Sequence, residues 1–379
     1  MIKTYSVVSY GRMVADHTRL DAYDRALEAT VRPGSVVLDI GTGTGVFALL
    51  ACRHGARRVY AVEPADAIRT ARLVARENGF EDRIEFIQDV TTRVTLSERA
   101  DVIVTDLRGV LPAFQGIVAT LADARERLLA PGGVIIPRTD TLMAAPVEWP
   151  EAWDDVAGPR TVHGFDFTAA QRKAVNEYTR GRVEPERLLA PAAAWAVLDY
   201  RTVTDADVRG TAEWTAARAG MAHGLAVWFQ AELVEGIGFG SGPGTHTIYQ
   251  TAFFPWTQPL PLAPGDRVRA ELQARLVAGD YVWVWNSTIE RAGEPPMEFR
   301  QSTFLANPPS PERLRRRADG HLPTLGEEGR IDAYALSRMD GSIALGEVAR
   351  ELRERFPARF PTWEAALAHV GRLSEQYAE

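Results

Sequence analysis

A glycine-rich stretch near the N-terminus is the first part of the sequence that could bind a ligand. Residues 37–45 read VLDIGTGTG, directly after a Pro-Gly turn and directly before a segment with helical character. Glycines that follow a strand let the backbone pass close to a ligand at the carboxyl end of that strand. The candidate binding residues of this motif are Asp39, Gly41, Gly43 and Gly45.

Two acidic residues end the next two predicted strands. Glu63 closes RVYAVE, 22 residues after Gly41, and its carboxylate can accept hydrogen bonds from both hydroxyls of a ribose. Asp89 follows RIEFIQ, where it is placed to meet an adenine or its amino group. These acids and the glycine motif together predict a nucleoside cofactor. Dinucleotide-binding proteins typically place their third glycine where this sequence has Val46, so the spacing favours S-adenosylmethionine over NAD.

A further strand-like run, ADVIVTDL, leads into a loop that carries two opposite charges. Residues 105–115 read TDLRGVLPAFQ, so Asp106 and Arg108 stand where a ligand would meet the edge of a sheet. A carboxylate there would hold a cation, whereas a guanidinium would hold an anion. The loop alone leaves the nature of the acceptor open.

The elements that must position these residues alternate between strands and helices from residue 36 to 147. SVVLDI, RVYAVE, RIEFIQ, DVIVTD and GVIIPR are typical of short buried strands, and the segments between them are typical of helices. This βαβ alternation predicts a mostly parallel sheet with helices on both faces. We therefore expect a Rossmann-like domain over residues 1–147.

The pattern changes after about residue 148. Strand candidates alternate with Gly/Pro turns over residues 148–306, which predicts an antiparallel, β-barrel-like substrate domain interrupted by an insertion at about 160–190. A Pro- and Arg-rich linker and two amphipathic helices follow in residues 307–379. The expected fold class is thus an α/β Rossmann-like domain, then an antiparallel β-barrel-like domain and a small helical C-terminal module.

Composition and charge narrow the class of protein further. A formal net charge of −7 argues against a general nucleic-acid surface. No apolar run reaches the roughly 18 residues of a membrane span, and the N-terminus lacks the pattern of a signal peptide. We expect a cytoplasmic protein that binds neither nucleic acid nor membrane. The lone Cys52 excludes an internal disulfide, and no Cys/His/Asp cluster has metal-ligand spacing, so no metal is expected.

Several of these segments resemble a known enzyme family. VLDIGTGTG, AVEP and LLAPGGVIIP are similar to motifs of the class I S-adenosylmethionine-dependent methyltransferases. From about residue 5 to 305 the chain resembles the protein arginine methyltransferases. YSVVSYGRMVADHTRLDAYDRAL is similar to their cofactor-covering helices, HGFDFTAAQRKAVNEY to their dimerisation arm, GTHTIYQTAFF to their Thr-His-Trp loop and TDLRGVLPAFQ to their double-glutamate hairpin. The resemblance implies methylation of a peptide or protein, with S-adenosylhomocysteine as the by-product.

The resemblance also assigns roles to individual residues. Arg25 falls where the family's arginine pairs with the carboxylate of S-adenosylmethionine. His246 falls in the loop that approaches the hairpin, but this loop is one residue longer than the family's, so Thr247 is the alternative. Phe165 and Phe167 of the arm would insert between helices of a second copy, which implies a homodimer.

The acceptor hairpin departs from the family's pattern. The changes are Asp106 and Gln115 in place of two glutamates, Arg108 inside the hairpin, and Arg19 in place of an active-site methionine. The family's substrate-side Tyr-Phe-x-x-Tyr becomes Ser6, Val7 and Tyr10, so one aromatic hydroxyl is lost. By this alignment the charge of the pocket moves from about −2 toward neutral or positive, which disfavours a cationic acceptor in a partly dry site.

A carboxylate acceptor suits the altered hairpin better. It is already ionised at neutral pH, and Arg19 or Arg108 could dock one of its oxygens while the other attacks. The favoured hypothesis is therefore O-methylation of a carboxylate, with a peptide C-terminus in natural-product biosynthesis as one candidate. Protein arginine N-methylation is the alternative, and a non-catalytic scaffold that binds S-adenosylmethionine is a second alternative.

The C-terminal helices leave two alternatives open. They are consistent with a cap on the main body, and they also resemble the small winged-helix modules with which peptide-modifying enzymes hold leader peptides. The apolar positions of the first helix suit packing on a partner surface in either case.

Overall fold

The computed structural model describes residues 7–308 and 310–378 of the chain, and only the backbone of Val7. Ser6, which the sequence places at the acceptor site, lies outside the described residues, as does the side chain of Val7. The described residues up to 308 form one compact unit, and those from 310 onward form another.

A parallel sheet of five strands forms the first half of the larger unit, in the spatial order β3-β2-β1-β4-β5. Its strands are β1 Val36–Ile40, β2 Arg58–Val62, β3 Ile84–Ile87, β4 Ala100–Thr105 and β5 Leu129–Ile136. The helices are α1 Val7–Val14, α2 His17–Thr30, α3 Val46–Arg53, α4 Ala67–Glu77 and α5 Ile117–Arg127. Every residue of β1 is buried, as is typical of a strand in a sheet covered on both faces. The predicted βαβ alternation is confirmed.

Antiparallel sheets make up the second half of this unit. A six-stranded sheet follows the path β10-β6-β12-β14-β9 with β13 paired to β12, a four-stranded sheet has the order β11-β15-β16-β17, and β7 pairs with β8. The strands are β6 Thr139–Val147, β7 Thr161–Val162, β8 Phe165–Asp166, β9 Thr179–Gly181, β10 Ala193–Asp199, β11 Val208–Thr215, β12 Gly220–Val234, β13 Ile237–Gly240, β14 Thr251–Leu262, β15 Arg267–Val277, β16 Asp280–Glu290 and β17 Met297–Ser302. Three short helices, α6 Pro150–Ala157, α7 Thr168–Ala174 and α8 Thr303–Ala306, lie between or after them. The predicted antiparallel domain is thus confirmed.

The change from the parallel to the antiparallel sheets falls earlier than residue 147. β5 ends at Ile136, and β6, which begins at Thr139, already pairs with β10 and β12. The sequence TDTLMAAPV continues the apolar run of GVIIPR after only two residues, so the hydrophobic pattern does not mark the boundary. The domain limits proposed from the sequence remain predictions, since both halves belong to one compact unit.

The C-terminal unit is a small helical module with a core of its own. Its helices are α9 Pro311–Arg315, α10 Glu327–Ser337, α11 Leu345–Arg355 and α12 Trp363–Tyr377. Ile331, Val348, Leu352 and Val370 are fully buried among them. The described part of this module contains helices and turns but no strand. Whether it acts as a cap or as a peptide-holding module remains a prediction.

None of the helices within the described ranges is both long enough and apolar enough to cross a membrane.

Candidate active site

The glycine motif forms a tight loop between β1 and α3. Gly41 and Gly43 have φ angles of 74° and 54°, a region that residues with a side chain rarely adopt. A Cβ atom on Gly43 would lie 2.7 Å from the ring of Tyr10, so there is no room for a side chain. The loop thereby presents its backbone to a narrow cleft at the carboxyl edge of the parallel sheet.

Asp39 and Gly45 support this loop from behind and do not line the cleft. Asp39 is fully buried, and its Oδ2 accepts hydrogen bonds from the Thr42 hydroxyl (2.5 Å) and the Ala48 N–H (3.0 Å). Burial raises the pKa of Asp39 to about 7. Gly45 precedes α3 with φ 90°, and a Cβ there would lie 3.1 Å from the Cβ of Ala71. These two residues fix the shape of the loop.

Glu63 follows β2 and faces the cleft from its far side. Its Oε2 accepts a hydrogen bond from the Gly43 N–H (3.1 Å), and its Oε1 accepts one from the Ala65 N–H (2.9 Å). Burial raises the pKa of this carboxyl above its ordinary value. A carboxylate has about four acceptor sites, so Glu63 keeps capacity for further donors such as ribose hydroxyls.

Two residues predicted to bind the cofactor lie elsewhere. Arg25 is on the exposed face of α2, where its Nε donates to the carbonyl of Asp21 (3.3 Å). Asp89 pairs with Arg93, whose Nε lies 2.8 Å from its Oδ1. Neither residue lines the cleft. The face of α2 that is directed to the cleft carries Arg19 instead of Arg25. The carboxylate of Asp89 is directed to the helical turn that follows it in the chain.

The chemistry of the cleft suits S-adenosylmethionine. Gly41 and Gly43 would pass along the nucleoside, and Glu63 would accept hydrogen bonds from the ribose. The cleft encloses about 120 Å³, less than the roughly 300 Å³ at the lower end of small-molecule sites. Helix α1 contributes Tyr10 and Met13 to its wall and so narrows the space for the cofactor.

Asp106 follows β4 and is surrounded by donors in the interior of the cleft. Its Oδ1 accepts a hydrogen bond from Nη1 of Arg108 (2.5 Å), and its Oδ2 accepts one from the hydroxyl of Tyr249 (2.6 Å). Nη1 of Arg19 also donates to Oδ2. The Tyr23 hydroxyl donates to the carbonyl of Thr105 (2.8 Å) and lies 3.2 Å from Oδ1. Asp106 is therefore already paired with two guanidinium groups.

Arg108 is buried and pairs with a second aspartate that the sequence analysis did not identify. Its Nε donates to Oδ2 of Asp140 and its Nη2 to Oδ1, each at 2.9 Å. Its Nη1 also donates to the Tyr23 hydroxyl at 2.8 Å, and the Tyr200 hydroxyl donates to Asp140 at 2.7 Å. All three guanidinium nitrogens of Arg108 therefore donate hydrogen bonds to groups of the protein.

Arg19 is held less completely than Arg108. Its Nη2 donates to the carbonyl of Met13 (2.6 Å), and its guanidinium lies over the ring of Phe47, with Cζ 5.6 Å from the centroid. Its buried Nε, however, has no hydrogen-bond partner among the described residues. An unsatisfied buried donor costs about 1–3 kcal/mol. Moving the side chain of Arg19 out of this position should therefore cost less free energy than moving that of Arg108.

The four charged residues of this cluster, Arg19, Asp106, Arg108 and Asp140, sum to zero. Burial lowers the pKa of both guanidinium groups, but the neighbouring carboxylates outweigh it, so the net pKa is raised and both stay charged. Burial also raises the pKa of Tyr23 and Tyr249, which keeps these phenols neutral donors. The sequence predicted a pocket that is neutral or positive, and the charged cluster is neutral.

Gln115 and His246 do not join the charged cluster. Gln115 is half-buried with φ 46°, and it makes no hydrogen bond within the described ranges. His246 is exposed and lines an outer cavity instead. Tyr249, three residues later, makes the contact with Asp106 that the loop was expected to supply through His246 or Thr247.

Two residues of the cluster that the sequence did not predict, Tyr23 and Asp140, occupy positions where local sequence patterns indicate a role. Tyr23 lies four residues after Arg19, on the same face of α2. Asp140 lies two residues before Leu142, so in a strand both side chains face the core, and an acid at that position needs a cation. Neither signal identifies the partner across the fold.

A larger outer cavity of about 760 Å³ adjoins the cleft. The two spaces share the wall residues Met13, Arg108, Phe114, Ile248 and Tyr249. A substrate bound in the outer cavity would therefore reach Asp106 by passing between these shared residues.

Two family models match consecutive parts of the chain. The model for ribosomal protein L11 methyltransferase (PrmA) matches residues 20–138, and the arginine methyltransferase oligomerization subdomain matches residues 139–280. The two matches meet where the parallel sheet gives way to the antiparallel sheets.

The chain is also similar to named arginine methyltransferases. Protein arginine N-methyltransferase 6 of Danio rerio is 32% identical over 240 residues, which cover 60% of this chain and 69% of that protein. The enzyme of the same name from Xenopus tropicalis is 30% identical, with 59% and 70% covered. The probable protein arginine N-methyltransferase 6 of Arabidopsis thaliana is 30% identical over 63% of this chain, which spans 56% of that relative's length.

Solved structures share the fold. The Trypanosoma brucei PRMT1 enzyme-prozyme heterotetrameric complex with AdoHcy matches with a TM-score of 0.70 and 22% identity, over 77% of this chain and 98% of that one. Arabidopsis thaliana protein arginine methyltransferase 10 matches with a TM-score of 0.69 and 21% identity, over 78% and 97%. The chain therefore belongs to the protein arginine methyltransferase family of S-adenosylmethionine-dependent methyltransferases.

Proposed function

We propose that the chain transfers the methyl group of S-adenosylmethionine to a nitrogen of an arginine side chain of a peptide or protein, which releases S-adenosylhomocysteine and one proton from that nitrogen. The observation that carries this proposal is the contact between Arg19 and Asp106. In it a planar guanidinium donates to the carboxylate at the inner end of the cleft, as the acceptor group of an arginine substrate would do. The names of the relatives support the same acceptor.

The position of Arg19 suggests how an arginine substrate would be held. Its guanidinium lies over the ring of Phe47 and against Asp106, which is an environment that suits any guanidinium. The unsatisfied Nε of Arg19 favours its displacement by a substrate that satisfies more donors. We therefore propose that the substrate arginine replaces Arg19 beside Asp106.

Carboxylate O-methylation, which the sequence favoured, is supported less well, since of Arg19 and Arg108 only Arg19 has a nitrogen without a partner among the described residues. That hypothesis needs an arginine whose donors are available to dock a carboxylate. Arg108 is held by Asp140, Asp106 and Tyr23, and the cluster is neutral because Asp140 balances the second arginine. The relatives, which are named as arginine methyltransferases, also favour the nitrogen acceptor.

The residues of this chain would act mainly by positioning. The cofactor, when bound, supplies an electrophilic methyl group on a positively charged sulfur. Asp106 would accept hydrogen bonds from the substrate guanidinium and turn one nitrogen toward the cleft. The Tyr249 hydroxyl would hold Oδ2 of Asp106 in place, since its raised pKa keeps it a neutral donor.

Mass spectrometry on a peptide pair tests the acceptor. Each peptide contains one arginine, and the pair differs only in a free or an amidated C-terminus, with all other carboxylates omitted. We expect both peptides to gain a methyl group that maps to the arginine and survives mild alkali. Methylation confined to the free-acid peptide and removed by alkali would instead establish the carboxylate as the acceptor. Asp106→Asn should abolish transfer, and Arg209→Gln on the exposed face of β11 serves as the control.

The chain is expected to act as a homodimer. Phe165 and Phe167 are 70% and 45% exposed on the segment with the predicted dimerisation arm, and such exposure of aromatic rings favours a partner surface. The matched oligomerization subdomain, which includes this segment, supports the same assembly. A cytoplasmic location remains the expected one.

A further inference from the structure

Three arginines at the outer cavity have no hydrogen-bond or ion-pair partner among the residues that the structure describes. Arg12 of α1, Arg180 of β9 and Arg182 just after β9 all line the cavity and are exposed. Within the described part of the chain, none of them forms a hydrogen bond or an ion pair. Most other arginines of this unit bond to a carboxylate or a carbonyl, so three unpartnered guanidinium groups on one cavity leave it strongly positive.

The geometry of β9 directs this charge into the cavity. Tyr178, Arg180 and Arg182 alternate along the chain, and all three line the cavity. Of these, Arg180 lies within β9, where the side chains of its neighbours point to the opposite face. β9 is the last strand of the six-stranded sheet, and the side chains of Arg180 and Arg182 are exposed. Tyr178 is fixed by stacking on Phe254, with ring centroids 5.0 Å apart.

Among the described residues of the cavity wall, no acid neutralises these arginines. Asp16 is the one carboxylate among the residues described as lining it, and it is buried. Its Oδ1 accepts the Arg19 N–H (3.1 Å), and its Oδ2 accepts the Ile248 N–H (2.8 Å). Asp16 therefore serves to cap α2 and to tie down the loop before Tyr249.

We propose that the outer cavity binds an acidic segment of the substrate next to the methylated arginine. This inference rests on the proposed function for the identity of the acceptor, but the charge of the cavity is independent of it. Arg180 of β9 and Arg182 just after it are two residues apart, and two residues of extended chain span about 7 Å. An extended peptide with two acidic residues separated by one residue has the same repeat, so such a pair can meet both arginines, and Arg12 can meet a third acid.

Direct peptide binding tests this surface without requiring methyl transfer. Fluorescence anisotropy is measured on the full chain with S-adenosylhomocysteine present, using three labelled peptides with one central arginine. Their flanks carry alternate glutamates, alternate lysines or alternate glutamines. We expect the acidic peptide to bind roughly tenfold more tightly than the neutral one at low salt, and the preference to shrink as salt rises.

A charge reversal with a matched control isolates the arginines. Arg180→Glu with Arg182→Glu should remove or invert the preference, whereas Arg209→Glu with Arg275→Glu should preserve it. The control pair changes the net charge equally, because Arg209 and Arg275 are also exposed strand residues without an ion pair within the described ranges, and they lie on the four-stranded sheet. Calorimetric binding of S-adenosylhomocysteine checks that both variants are folded.

The outcomes separate this inference from the proposed function. If acidic peptides bind preferentially but no arginine is methylated, the basic cavity stands and the proposed acceptor is wrong. If arginine is methylated equally well whatever the charge of its flanks, the acceptor stands and the inference is overturned. A preference that survives reversal of Arg180 and Arg182 also overturns it.

Discussion

Arg108 and Asp140 form a two-pronged ion pair in the protein interior, with both N–O distances at 2.9 Å. The pair joins the acceptor hairpin, which belongs to the parallel half of the fold, to β6 of the antiparallel half. Arg108 also contacts Asp106, so the position of the acceptor carboxylate depends on a residue of the other half.

Removing Asp140 should therefore destabilise the larger unit. Asp140→Ala leaves Arg108 buried with one carboxylate fewer, and breaking such a pair costs about 3–5 kcal/mol. Chemical denaturation monitored by tryptophan fluorescence measures the change in the free energy of unfolding. Replacing both partners, Arg108→Met with Asp140→Leu, should recover most of the loss because no unpaired charge remains. A loss below about 1 kcal/mol for Asp140→Ala would contradict the buried pair.

Removing Arg19 should strengthen arginine binding. Arg19→Met leaves Oδ2 of Asp106 with Tyr249 as its donor, which makes the carboxylate available to a substrate. A hydrogen bond to a charged group contributes about 1.5–3 kcal/mol, so we expect the KM for an arginine peptide to fall roughly tenfold. Steady-state kinetics measure this, with Arg275→Met as the exposed control. An unchanged or higher KM would contradict the proposal that the substrate displaces Arg19 from Asp106.

The buried Asp39 predicts a pH dependence of stability. Its pKa is about 7 in the folded protein, against an ordinary value of 3.8, so between these limits the folded state binds a proton that the unfolded state has lost. Stability from this group should therefore decrease as the pH rises from about 4 to 7, by up to about 4 kcal/mol. Asp39→Asn should flatten that part of the curve in denaturation experiments. If the stability of the wild type and of Asp39→Asn changes by the same amount over this pH range, Asp39 does not cause the pH dependence.

Replacing the two exposed phenylalanines should dissociate the expected dimer. Phe165→Ser with Phe167→Ser removes the aromatic rings of the arm, and sedimentation at micromolar concentration should then give a monomer. Val197→Ser on β10, which removes another side chain that is 58% exposed, should leave the assembly unchanged. Wild-type protein that sediments as a monomer would rule out the dimer altogether.

Local patterns in the sequence predicted the fold further than they predicted the site. The strands β1 to β4 are apolar runs whose burial follows from composition, and Asp106 could be placed because it follows one of them. Arg108 lies in the same loop as Asp106, but the partners Arg19 and Tyr249 could not be placed, since they come from distant segments brought together by packing. The neutral charge of the cluster depends on Asp140, which the sequence did not predict because it lies 32 residues from Arg108, on β6.

Because Arg19 contacts Asp106 and belongs to the same chain, its guanidinium competes with a substrate for this carboxylate and cannot diffuse away. A group tethered at its binding site acts at an effective concentration on the order of millimolar, whatever the dilution of the protein. Free arginine and other small guanidines, which can offer only the same single contact, would rarely win that competition. A peptide that also contacts Arg180 and Arg182 gains additional binding energy. Competition from Arg19 would therefore select long substrates over small ones.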